Sequence, residues 1–237
     1  MVDSAPEGHE GGNTRYAGQM VGAGMDYEAL KKYHENLAAP LQPDKEPFNN
    51  LIEGMANMSE YFEKYLGVKP VSMKKLLAGT PSTKYVTEYP ELPYDDYLVH
   101  NGISDAALWK LLRQKVLDRS EKITVWYSSP AKHLIQDGGS KIVLGAQIER
   151  NHVLRNIKAN NGVVLAVGGF ENNKEMIQTF LQSSYLSPIG SLYNKGDGIK
   201  MLEEVNAQLW NMRSLNHLVN FMAFHQGKKK AFVRHML

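Results

Sequence analysis

Apolar positions fall into stretches with a helical period and into short runs. Tyr27, Leu30, Tyr33 and Leu37 share one helix face, and Pro40 and Pro43 end that helix. Phe48, Leu51, Ile52, Met55, Met58, Phe62 and Leu66 carry a second face. Residues 26–66 are therefore expected to form two helices whose stripe is core or interface. Residues 67–103 lack a period and are expected to be irregular. Leu108, Leu111, Leu112 and Val116 mark the clearest helix, 105–119, capped by Ser104 or Asp105. Ile123–Tyr127, then Ala131–Ile135 after Pro130, then Lys141–Ile148 and Val153–Lys158 read as strands, and Asp137-Gly138-Gly139 turns the chain. The expected result is a three-stranded antiparallel meander that leads into a central strand.

That central strand is Val163–Val167, five apolar residues, too short a run for a helix. Gly168-Gly169 follows it, a turn where backbone can approach another group because no Cβ intervenes. Asn172, with Glu175 three residues on, reads as a helix cap and its capping partner. Strand, glycine turn and helix N-terminus together offer backbone N–H groups to an anion. The same pattern also serves as a plain strand–helix connection. Farther on, Gly196-Asp197-Gly198 opens a helix of Ile199, Leu202, Val205 and Leu209. Asp197 there is either a helix cap or one wall of a ligand site.

Residues 1–25 are rich in glycine, with Asn13, Thr14, Arg15 and Tyr16 between the glycines. Such a composition suits an irregular segment, or a backbone wrapped around a ligand. Net charge is only +2, from 27 basic and 25 acidic residues, so no nucleic-acid partner is expected. The basic run Lys228-Lys229-Lys230 reads as a solvated tail. The chain of 237 residues contains no cysteine, which removes disulfides, thiolate metal sites and thiol nucleophiles and fits a cytoplasmic location. No apolar run reaches the length of about 18 residues that a membrane span needs, and the polar N-terminus does not read as a secretory signal.

Candidate chemistry outside the glycine turns is sparse. Asp95 and Asp96 are adjacent carboxylates available for acid–base work or a metal, but without spaced partners they read as a solvated loop. His100 is a possible proton donor or a structural histidine. No metal site is expected: HExxH and a His/Asp cluster are both absent. GxSxG is absent too, and so is a strand leading into GxGxxG, the usual start of a dinucleotide-binding domain.

The order of the segments carries more than any one of them. Gly11-Gly12-Asn13-Thr14-Arg15, then Ala107–Arg119 with Val125–Ile135, then Val163–Asn173, then Gly196–Leu209 resemble FAD-binding flavoproteins of the fumarate reductase and succinate dehydrogenase class. The resemblance runs from about residue 5 to residue 212, and its specific parts are GGNTRYAG and the pair VLAVGGF and GDGIKM. It implies an α/β fold: a partial FAD-binding, Rossmann-like domain of the glutathione-reductase-like type, with an antiparallel meander and a helical insertion. The domain expectation is one incomplete FAD-binding domain over 1–237. Residues 26–103 would be a helical and irregular insertion, and 104–212 the meander, central strand and helices. The GxGxxG unit and the cap domain would be missing.

The resemblance also implies roles. Gly11, Gly12, Asn13 and Thr14 would lie over the flavin and its phosphates, and Ala17 and Gly18 would face the ring and substrate. Ala131 would contact the adenine end. Ala166, Val167, Gly168 and Gly169 would form the turn beside the adenosine, and Gly196, Asp197 and Gly198 the turn near the flavin. His217 falls next to a family histidine that touches substrate. Three residues depart from the family pattern: Val167 for Thr, and Gln19 and Asn206 for Gly.

The implied activity is hydride transfer between FAD and a C=C or CH–CH bond of a small carboxylate or enone, with Arg15, His100 and His217 as the polar candidates for the substrate face. The substrate is a small molecule of the dicarboxylate or enone class. The alternative is a truncated, non-catalytic module that binds FAD weakly or not at all. An interaction scaffold on the 26–66 helices is a further reading, and a nicotinamide-dependent dehydrogenase is disfavoured by the missing GxGxxG. An unpaired sheet edge would invite self-association or a complementing fragment.

Overall fold

The structure, a computed structural model, describes residues 1–24, 26–79, 93–102, 105–183, 188, 190–210, 212–213, 220–225 and 228–233, the last two stretches by backbone alone. The chain divides into two compact units, residues 14–115 and residues 1–13 with those from 116 onward.

In the 14–115 unit, β1 (Val21–Gly24) pairs antiparallel with β3 (Tyr94–Leu98), whose other edge takes β2 (Val71–Ser72). Val21 stands opposite Tyr97 and Val71 opposite Leu98. Helix α1 (Tyr27–Ala38) starts where the Asp26 side chain accepts from Ala29 N at 2.6 Å. Helix α2 (Lys45–Ala56) follows the proline-bearing link. Then α3 (Met58–Tyr61) runs into a π-helical turn, Phe62–Leu66, which Gly67 ends at φ 72°. Leu30, Ile52 and Met55 form one apolar cluster against Tyr27, Phe48 and Tyr94. Phe62, Leu66 and Leu108 form another against Val21, Met58, Tyr97 and Leu111. The stripes are narrower than their spacing implies, since Leu37 and Leu51 are 68% and 54% exposed.

Residues 67–103 depart from the irregular segment expected there. Besides β2 and β3 they hold α4 (Met73–Leu76). The cause is Asp95, which is buried rather than solvated. Its carboxylate accepts from Ser72 Oγ at 2.5 Å, Lys74 N at 3.1 Å and Asp96 N at 2.8 Å, so it pins β2 and the start of α4 to β3. Burial, and then the Asp95 charge, raises the pKa of Asp96. Helix α5 (Ala107–Leu117) carries Leu108 into the second cluster, and Asp105 Oδ1 accepts from Ala107 N at 2.8 Å.

The other unit begins with a segment that is ordered from its first residue. Trp126 N donates to Met1 O at 3.0 Å, Asp3 N to Trp126 O at 2.9 Å and Ser128 N to Ala5 O at 2.9 Å. The strand expected at Ile123–Tyr127 is thereby reduced to a single parallel bridge between Val2 and Trp126. Arg150 lies over the Trp126 ring, 4.2 Å from its centre. The meander forms as expected: β4 (Ala131–Gln136), β5 (Val143–Arg150) and β6 (Val153–Lys158), in that order and antiparallel. Asp137 closes the first hairpin. Its Oδ1 accepts from the backbone N–H and the hydroxyl of Ser140, each at 2.7 Å, which lowers its pKa.

The central strand is the main correction. Val163–Val167 belongs to no ladder, and Val164 is 92% exposed. A strand is defined by a partner that takes its N–H and C=O groups, and among the described residues no strand pairs with this run. Helix α6 (Lys174–Leu181) follows, capped by Asn173 rather than Asn172: Asn173 Oδ1 accepts from Met176 N at 3.1 Å. Helix α7 (Asp197–Glu204) packs along β4, where His133 Nδ1 meets Glu204 at 2.9 Å. The basic run at 228–230 lies in β8 (Lys228–Val233), paired with β7 (Asn220–His225), and is not a loose tail.

Candidate functional site

Three glycine-bearing segments of the 1–13 and 116–235 unit meet at one carboxylate. Glu171 Oε1 accepts from Asn13 Nδ2 at 2.7 Å and from Asn194 Nδ2 at 2.7 Å. Asn13 Oδ1 in turn accepts from Ser191 N at 3.0 Å. Asn172, displaced from the cap position, sends its Nδ2 to Ser191 O at 2.7 Å and its backbone N to Asn194 O at 3.1 Å. Gly196 N donates to Gly169 O at 3.0 Å, which ties the start of α7 to the glycine turn. Ser191 and Asn194 are buried, while Glu171 is half-buried.

The glycines are required here for room and for backbone. Gly168 has φ +73°, and a Cβ on it would overlap the Asn194 carboxamide. Gly196 has φ +81°, and a Cβ there would overlap Met176. Left-handed backbone of this kind costs an ordinary residue about 1–2 kcal/mol. Among the described residues, the backbone N–H groups of Val163–Gly169 meet no acceptor, and neither do those of Asp197 and Gly198 at the head of α7. Backbone donors grouped beside a glycine turn and a helix N-terminus can receive an anionic group.

The expected site residues therefore separate into groups. Asn13, Gly168, Gly169, Gly196, Asp197 and Gly198 are gathered at or beside the Glu171 hub. Gly11 and Gly12 lead into Asn13 with left-handed backbone, φ +106° and +53°. Ala166 and Val167 lie on the exposed run, and Val167 meets the space over Gly198. Ala131 opens β4, opposite Ile148.

Thr14, Arg15, Ala17 and Gly18 belong to the 14–115 unit. There Thr14 O accepts from Ala17 N at 3.4 Å, and Arg15 sits over the Trp109 ring at 5.8 Å. Gln19 is fully buried: its Oε1 accepts from Val99 N at 2.8 Å, and its Nε2 donates to Gly102 O at 2.6 Å. In the same unit His100 Nε2 pairs with Asp105 Oδ2 at 2.6 Å. The pKa of Asp105 is lowered, first by the Ala107 N–H and then, despite some desolvation, by His100. His217 lies outside the described residues. No group of three metal-ligating side chains occurs among the described residues, and no described helix is long and apolar enough to cross a membrane.

Glu171 was not among the residues expected from sequence. Its signal was an acidic residue set between a glycine turn and an Asn-Asn cap. That pattern acquires meaning only once Asn13 and Asn194 are seen to arrive.

Residues 46–227 match the FAD binding domain family. The chain belongs to that family, and its cofactor is FAD. A 3-oxosteroid 1-dehydrogenase of Comamonas testosteroni is 40% identical over 60 residues, 25% of this chain and 10% of that protein. The 3-ketosteroid delta1-dehydrogenase of Sterolibacterium denitrificans, solved with 1,4-androstadiene-3,17-dione, matches with TM-score 0.70 at 17% identity over 96% of this chain and 53% of that one. The open conformation of a flavocytochrome c3 fumarate reductase matches with TM-score 0.66 at 24% identity over 86% of this chain and 35% of that one. The chain thus spans about half of the first of these structures and a tenth of the curated relative. These structural likenesses establish the fold: mixed helix and antiparallel sheet of the FAD-binding kind.

Proposed function

We propose that this chain is the FAD-binding part of an oxidoreductase acting on CH–CH bonds, with a small carboxylate or an enone as substrate. The observation that carries the proposal is the meeting of Asn13, the Gly168-Gly169 turn and the start of α7 around Glu171, with backbone donors alongside that meet no acceptor among the described residues. In this reading Gly11, Gly12, Asn13, Gly168, Gly169 and Gly196–Gly198 hold the cofactor, with Ala131, Ala166 and Val167 as its further contacts. Bound FAD would supply the two-electron hydride chemistry.

The chain's own part is placement and proton handling. The N–H groups of Val163–Gly169 and the head of α7 bind and orient an anionic ligand. His100, its Nε2 held by Asp105, keeps its other ring nitrogen for a substrate oxygen or carbon. The two steroid-acting relatives support the enone side of the substrate class and the fumarate reductase supports the dicarboxylate side. The Val163–Val167 run, exposed at Val164, Ala166 and Val167, supports self-association as well.

The test is an FAD titration of the purified chain followed by visible absorbance and flavin fluorescence. The chain is expected to emerge colourless and then to take up one FAD saturably. Absence of saturable binding up to about 1 mM, a free energy of only about −4 kcal/mol, would reject the cofactor site and leave the non-catalytic module as the reading.

A further inference from the structure

We infer that Glu171 is a positioning residue: a clasp that sets the shape of the cofactor cradle without touching the cofactor. The inference rests on the proposed function for its consequence, but on the hydrogen-bond geometry for its existence. One oxygen, Oε1, takes an amide proton from each of two asparagines, Asn13 and Asn194, at 2.7 Å each. These asparagines are 181 residues apart in the chain, and no described hydrogen bond joins them directly. Asn13 then holds the Gly190–Ser191 backbone through Ser191 N. Asn194 carries the carbonyl that receives Asn172 N, just ahead of α6. One carboxylate oxygen therefore fixes the spacing between the glycine-rich N-terminal loop, the Gly168-Gly169 turn and the loop leading to α7.

The fit is close on all sides. A Cβ at Gly190 would overlap Asn13 Oδ1, one at Gly168 would overlap Asn194, and one at Gly169 would come 2.7 Å from Glu171 Oε2. Each glycine is thus the space into which a clasp side chain settles. An acceptor at Oε1 is what the two amides require; a negative charge is not. Charge-assisted acceptance strengthens both bonds, but a carboxamide oxygen at the same place keeps them.

This predicts an unusual pattern among variants. In the FAD-free chain, the side-chain amide protons of Asn13 and Asn194 should exchange slowly by NMR. That protection should disappear in Glu171→Ala and persist in Glu171→Gln. In FAD titrations, Glu171→Ala should weaken binding by about tenfold or more, and Glu171→Gln far less, as loss of two charge-assisted bonds compared with their neutral replacement would give. The losses from Asn13→Ala and Glu171→Ala should be less than additive in the double variant, since the bond the two share can be lost only once. Circular dichroism of each variant separates misfolding from loss of the clasp.

Equal FAD affinity of Glu171→Ala and the parent, or additive losses for Asn13→Ala and Glu171→Ala, would overturn the inference. If the parent binds no FAD, the proposed function falls, and the clasp stands or falls on the amide protection in the free chain alone.

Discussion

Asp96 is the residue whose titration can be read most directly. Burial and the neighbouring Asp95 charge raise its folded-state pKa, so the folded chain binds a proton there more readily than the unfolded chain does. Its contribution to stability is therefore full below the ordinary carboxylate pKa and is lost as pH rises through the raised value. Asp96→Asn is expected to raise the melting temperature at neutral pH and to give no gain in strong acid; thermal melts across that range check it. Asp95 beside it takes three hydrogen bonds. Its three donors make the carboxylate structural, and no sequence pattern marked it, because β2 and α4 are too short to show a period.

At the scale of elements, β1 and α1 depend on one small residue. A Cβ on Gly24 would overlap the Leu30 side chain, which is fully buried against Ile52 and Met55. Gly24→Ala should cost about 1–3 kcal/mol by overpacking, and Leu30→Ala about 2–5 kcal/mol by cavity formation. The double variant should lose less than the sum of the two, which chemical denaturation can measure. Elements with strong local signals could be read from the sequence: α1 and α2 from their stripes, the meander from Pro130, Asp137 and alternating polarity, and α7 from its glycine pair. The gathering of Asn13 with Gly168 and Gly196 was legible only through the order of segments. What could not be read depends on distant partners. Val163–Val167 has the composition of a buried strand but, among the described residues, no pairing strand. Asn172 gave up the cap to Asn173 because Ser191 and Asn194 offered its amide better acceptors.

For the molecule as a whole, the apolar run Val163–Val167, exposed at Val164, Ala166 and Val167, matters most. Five consecutive apolar residues whose backbone pairs with no strand among the described residues form a template for another extended chain. Leu144, Val153, Leu154 and Ile157 on the meander are exposed as well. The chain is expected to associate with increasing concentration, and Val164→Lys to shift it toward monomer without changing its circular dichroism. Sedimentation velocity distinguishes the two, and a parent that stays monomeric at high concentration would refute the expectation.

The indole of Trp126 stands beneath Arg150 where the N-terminal segment meets the body of its unit, while that of Trp109 stands beneath Arg15 in the other. Each unit thus carries its own native fluorophore. With the exposed Trp210 replaced, single-tryptophan versions would let emission colour report the melting of each unit separately, with no dye attached.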